Sequence, residues 1–221
     1  MRKPFYKILT DQAILIEFEQ IISPTNLAQV RAYDIVIQNA NIYGVLELIP
    51  AYASLAIFYE PAIWTFEDLV EKIKAITKNI KKISLPESKV WEVPVSYAPP
   101  FAPDLKHVAD ENGLSIKEVI QIHTQTDYLV YMLGFLPGFV YLGGMDKRIA
   151  CPRKSTPDLK VVAGSIAIGG EQTGIYSIES PAGWNVIGRT SLSFFDANKN
   201  PPFLIKQGDK VRFVAVDEMV L

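Results

Sequence analysis

Two kinds of hydrophobic pattern divide this chain. Up to about residue 85, short apolar runs alternate with stretches of helical spacing. "FYKIL" and "AILIEF" flank Thr10-Asp11-Gln12 and predict a hairpin. Ser23-Pro24 then predicts a helix start, with serine as cap and proline at the first helical position. In "TNLAQVRAYDIVIQNA" that helix carries Leu27, Val30, Ile35 and Ile37 on one broad side. "VLELIP" and "SLAIFYE" read as two further strands. "TFEDLVEKIKAITKNIKKI" is the clearest helix, capped by Thr65, with Asp68 three residues on and Leu69, Ile73, Ile76 and Ile80 at helical spacing. Two hairpins and two helices predict a small ferredoxin-like unit over residues 1–85.

"SLPES" reads as the linker to a second domain, residues 86–221. "KVWEVPVSY" predicts a strand that Pro94 confines to an edge. Two short helices follow, Asp104–Asn112 and Ile116–Thr124, around "GLS". From about Tyr128 the helical periodicity stops. Ten of the 13 glycines lie between Gly134 and Gly188, which predicts a turn-rich β-barrel, closed by a last strand in "KQGDKVRFVAV". "LGFLPGFVYLGG" stands out because glycines and Pro137 interrupt its apolar residues. A tight corner around Gly134 and Gly138, presenting Phe135, Phe139 and Tyr141 to a pocket or an intersubunit contact, accounts for that texture.

Composition narrows the function classes. The chain has 221 residues, 49% hydrophobic and 21% charged, with a formal charge of −2. That balance argues against nucleic-acid and anionic-membrane partners. The two-helix segment from Leu105 to His123 has a helix-turn-helix layout, with Ser115 and Glu118 as capping box, yet its helices lack arginine. A plain helical hairpin packed on a sheet explains it better. Cys151 is the single cysteine, so no intrachain disulfide can form. The basic N-terminus does not read as a signal peptide, and no apolar run approaches membrane-helix length, so a cytoplasmic location is expected.

Candidate chemistry sits in the glycine-rich half. Arg153 and Arg189 are suited to grip a carboxylate or phosphate with a planar fork. Glu171 and His123 are candidates for acid–base work, and Gln172, Tyr176 and Trp184 for contacts to a substrate or nucleotide. His107 is the only other histidine, so no metal site is expected. "GSIAIGGEQTG" is glycine-rich without matching the phosphate loop GxxxxGK[ST].

"MLGFLPGFVYLGG", "PRKSTP", "VAGSIAIGGEQTGIYSIESPAGWNVIGRT" and the following "FFD" resemble the family of the 5-oxoprolinase B subunit, also called allophanate hydrolase subunit 1, which includes the kinase inhibitor KipI. The resemblance implies a ferredoxin-like domain followed by a cyclophilin-like β-barrel. It implies one component of an ATP-dependent 5-oxoprolinase complex, which opens the lactam of 5-oxo-L-proline to L-glutamate. Its partners would be chains like the A and C subunits of that enzyme, with ATP and Mg²⁺ bound by the complex. The aromatic, glycine-rich β surface is suited to self-association or equally to such a partner. Inhibition of a sensor histidine kinase, or a carboxyltransferase-type role toward urea or allophanate, are the alternatives it implies. The sequence departs from the expected pattern in places: Asp158 stands for an arginine, Val162 for a proline and Ala182 for a glycine, and "SYAPPFAPDL" lacks the usual glycine and acid of that segment.

Overall fold

β1 (Phe5–Thr10) and β2 (Ala13–Glu17) form the expected hairpin in the computed structural model, which describes residues 3–80 and 83–217. Ser23 caps α1 (Pro24–Asn39), its hydroxyl accepting from the Asn26 N–H at 3.2 Å. β3 (Val45–Pro50) and β4 (Ser54–Tyr59) complete an antiparallel sheet in the order β1-β2-β4-β3. The run β2-α1-β3-β4, followed by α2 (Phe66–Ile76), is the opening of a ferredoxin-like pattern. The place beside β2 goes to β1, from the start of the chain, rather than to a strand after α2. Alternate residues Ile14, Ile16, Leu55, Ile57 and Tyr59 face the helices and meet Val30, Tyr33, Ile37, Leu69 and Ile73.

α2 is shorter than its periodicity predicts. Thr65 caps it, but it ends at Ile76 because the Thr77 hydroxyl turns back onto the Ile73 carbonyl at 2.7 Å. Ile80 still packs on the same core from beyond the helix. Lys81 and Lys82, in the expected last turn, lie outside the described residues.

A second unit begins after Glu87. Its strands are β5 (Val90–Val95), β6 (Asp127–Leu133), β7 (Val140–Gly143), β8 (Asp158–Val161), β9 (Ser165–Gly169), β10 (Gln172–Ile175), β11 (Ser180–Ala182), β12 (Asn185–Arg189) and β13 (Lys210–Ala215). Seven of them form a sheet in the order β12-β9-β10-β7-β6-β13-β5, and β8 and β11 pair as a separate ribbon. Pro94 does sit on a terminal strand, where β5 pairs in parallel with β13. The sheet curls until its two ends meet. Ser96 and Arg189 exchange both backbone hydrogen bonds, at 2.9 and 3.0 Å, and nearly close a barrel.

Both faces of the β9, β10 and β12 part of this sheet are buried, while outward residues of β5 and β13 such as Glu92 and Arg212 are exposed. Inward-facing Val140, Leu142, Ile166, Ile168, Ile175, Ile187 and Phe213 fill the barrel. α3 (Leu105–Glu111) and α4 (Ile116–Thr124) add Leu105, Val108, Val119 and Ile122 to that core. On the outer face, Phe139, Tyr141, Ala167, Tyr176, Trp184 and Val186 form a second, aromatic cluster with Val161 of β8 and Ala182 of β11.

The interrupted stretch that opens β7 is a type II turn from Leu136 to Phe139. Pro137 supplies its second residue and Gly138, at φ +76°, its third. Phe139 is buried in the outer cluster rather than lining a pocket, while Phe135, at φ +68°, remains exposed.

α4 starts with a full capping box. The Ser115 hydroxyl accepts from the Glu118 N–H, and the Glu118 carboxylate accepts from the Ser115 N–H at 2.8 Å. Ser115→Ala is expected to cost about 1 kcal/mol. A drop in the urea midpoint with an unchanged m-value would show it, and an unaltered midpoint would mean the cap contributes nothing.

Candidate functional site

The segment from Cys151 to Asp158 is pinned by its backbone before any side chain acts. Cys151 exchanges two hydrogen bonds with Gly170, at 3.2 and 2.8 Å. The Asn185 side-chain amide donates to the Pro152 carbonyl at 2.8 Å, and the Lys154 N–H donates to the Gly183 carbonyl at 2.8 Å. These bonds fix the segment between the β9–β10 turn and the start of β12.

Arg153 therefore has a defined place. Its guanidinium carbon lies 5.6 Å from the centre of the Trp184 ring, within reach of a cation–π interaction. Among the described residues it makes no ion pair with a carboxylate. Lys154, the next residue, does the opposite. It sits between Asp104 at 2.7 Å and Asp158 at 2.6 Å. Burial opposes its charge, but the hydrogen bonds to both carboxylates outweigh that and raise its pKa above the ordinary lysine value. Asp104 also accepts from the Val186 N–H at 2.7 Å, so the pair ties the α3 entrance to β12. Asp158 is thus a partner of Lys154 rather than a free acid.

Between α3 and this segment lies an open cleft of about 430 Å³, lined by His107, Glu111, Pro152, Arg153, Lys154, Ser155 and Thr156. Two phenols feel the Arg153 charge. Burial raises the pKa of Tyr141, and the Arg153 charge pulls it back part of the way. Burial raises Tyr176 further, with Tyr141 and Asp158 adding and Arg153 opposing. Both phenols stay protonated near neutral pH.

The two arginines have different neighbours. Arg153 lies by Trp184, just before β12, whereas Arg189 is the last residue of β12. The Arg189 side chain donates from Nε to the Ala163 carbonyl at 3.1 Å, and its backbone closes the barrel. Trp184 and Tyr176 are 5% and 2% exposed, so they form the wall behind Arg153 rather than an open surface. Glu171 is exposed at the β9–β10 turn and pairs with Lys147 at 3.2 Å. Gln172 begins β10 and is half-buried.

His123 is a core residue. It has no exposed surface, and its ring stacks on Phe213 with centres 4.6 Å apart. Its Nδ1 is 2.8 Å from the Tyr97 hydroxyl and its Nε2 is 3.0 Å from the Thr173 hydroxyl. Thr173 donates its own proton to the Ala167 carbonyl, so it accepts from Nε2–H, and Nδ1 accepts from Tyr97. Burial drives the His123 pKa down to about 3. The neutral ring has no solvent-accessible surface.

The residues that sequence reasoning missed are Lys154 and Asp104, whose pairing joins positions fifty apart. Among the described residues, no group of three His, Cys, Asp or Glu side chains is placed to hold a metal, and no helix is long and apolar enough to cross a membrane.

A family model described as "Carboxyltransferase domain, subdomain C and D" matches residues 4–205. The chain is 42% identical to the 5-oxoprolinase B subunit of Bacillus subtilis, over 95% of this chain and 92% of that one. It is 37% identical to the protein of the same name from Escherichia coli O157:H7, over 96% of each. Among solved structures it superposes on TTHA0988 with a TM-score of 0.82 and 32% identity, covering 94% of this chain but only 40% of that longer one.

Proposed function

The chain belongs to the family of 5-oxoprolinase B subunits, and from that membership we propose that it opens the lactam of 5-oxo-L-proline only together with A-like and C-like partner subunits. A cyclic amide resists water, so ATP must activate it. The amide oxygen takes the terminal phosphoryl group and ADP leaves. Water then adds to the ring carbon, the C–N bond breaks and the nitrogen takes a proton, which leaves an acyl phosphate of glutamate; a second water cleaves it to glutamate and phosphate. Fixed cations that meet the growing negative charge lower both barriers. This chain offers no built site for Mg²⁺ among its described residues.

One observation carries the assignment of a site to this chain. Arg153 is held over Trp184 by a pinned backbone, faces the cleft, and carries no intramolecular counter-ion among the described residues. Such a guanidinium is ready to receive an anion without first giving up a partner.

The test is ATP-dependent glutamate release by the complex assembled from all three kinds of chain. Arg153→Ala is expected to lower kcat/KM by about 10- to 100-fold, the loss of one charge-assisted hydrogen-bonding group of about 1.5–3 kcal/mol. The circular dichroism of the chain should not change. Undiminished turnover in the Arg153→Ala complex would refute the assignment.

A further inference from the structure

We infer that the cleft between α3 and the Cys151–Asp158 segment recognises the cyclic-amide acid itself, a small monocarboxylate bearing an N–H, and that the nucleotide is held elsewhere. This inference rests on the proposed function and gives each wall of its site a task.

Charge decides against the nucleotide. The lining has two cations, but Lys154 is already committed to Asp104 and Asp158. One guanidinium remains, and Glu111 adds a carboxylate to the α3 wall. Polyphosphate sites use a helix N-terminus or a run of backbone N–H groups together with free cations. Here neither lines the cleft: His107 and Glu111 stand one turn apart, so the cleft runs along the flank of α3. A triphosphate would meet repulsion there, with a single arginine to offset it.

A monocarboxylate that also donates an N–H fits the same lining. One carboxylate matches one planar fork, and the Trp184 ring lies at cation–π distance from that fork. Glu111 supplies an acceptor for the N–H. Ser155 and Thr156 supply hydroxyls for the ring carbonyl.

The test separates the two substrates in the assembled complex. Arg153→Ala should raise KM for 5-oxo-L-proline tenfold or more and leave KM for ATP within twofold. Arg153→Lys should recover part of the loss, because it keeps charge without the fork. Glu111→Gln should also raise KM for 5-oxo-L-proline alone. A rise confined to KM for ATP, or no change in either constant, would overturn the inference. If the wild-type complex releases no glutamate, the proposed function falls, and a titration of Trp184 fluorescence in that complex still decides the site. Saturable quenching by 5-oxo-L-proline that Arg153→Ala abolishes upholds the inference, and its absence overturns it.

Discussion

Replacing Gly164 by alanine is expected to unfold the barrel unit, at a cost above about 3 kcal/mol, on the scale that strain and broken buried bonds reach together. Gly164 has φ +82°, a conformation that by itself costs an L-residue about 1–2 kcal/mol. Space is the larger problem. A Cβ at this position would lie 2.1 Å from the Thr190 carbonyl oxygen. That oxygen is backbone and cannot rotate away. The two segments are also bonded to each other, Thr190 N–H to the Gly164 carbonyl at 2.9 Å, and the Gly164 N–H donates to the Tyr176 carbonyl at 2.7 Å. Moving either one breaks the clamp beside the Ser96–Arg189 seam that closes the barrel.

Gly113 is the control. It too has positive φ, at +64°, but nothing lies within 4 Å of its added Cβ. Gly113→Ala should therefore show the conformational cost alone, a fall in melting temperature of about 2–4 °C per kcal/mol for a chain of this size. Thermal melts followed by tryptophan fluorescence and near-ultraviolet circular dichroism compare the two. If Gly164→Ala melts within a few degrees of Gly113→Ala, the clamp is not a structural constraint.

What the sequence discloses is what local chemistry decides. The caps at Ser23, Thr65 and Ser115 are legible because a side chain meets a backbone N–H three residues away. Pro94 on a terminal strand is legible because a proline cannot donate to a ladder. The glycine-rich half reads as barrel because its turns need glycine at positions such as Gly138. What depends on distant pairing is not legible. Arg153 and Arg189 look equivalent as motif residues, yet one faces a cleft and the other ties the barrel seam. Lys154 looks like a third free cation until Asp104 arrives from fifty residues upstream. The end of α2 escapes for a milder reason. Thr77 sits within an apolar repeat that continues to Ile80, and the repeat alone does not reveal that its hydroxyl will turn back onto the helix.

His123 is the residue whose role changes most between sequence and structure, and acid should expose it. Its place at the end of α4 suggests an accessible base, but the ring is sealed in the barrel core as the neutral Nε2–H form. In the unfolded chain it titrates near pH 6.5, and in the folded chain near 3. Between those values the unfolded state binds one more proton than the native state. Stability contributed by His123 is therefore complete above pH 6.5 and falls as pH drops, by about 1.4 kcal/mol per pH unit. Carboxylates with lowered pKa, such as Asp127 and Asp146, act in a more acidic window, below their ordinary value of 3.8. From pH 6.5 to 4.5 the slope should thus belong chiefly to His123. His123→Gln keeps a donor and an acceptor for Tyr97 and Thr173 but cannot titrate. It should cost stability at pH 7 and flatten the dependence of the urea midpoint on pH between 6.5 and 4.5. The same variant separates structure from catalysis. If His123 only holds the core, the His123→Gln complex keeps its pH–rate profile and loses activity in proportion to the folded fraction. Equal slopes for wild type and His123→Gln would instead mean that the ring is not held neutral, and a shifted pH–rate profile at full folding would return it to the chemistry.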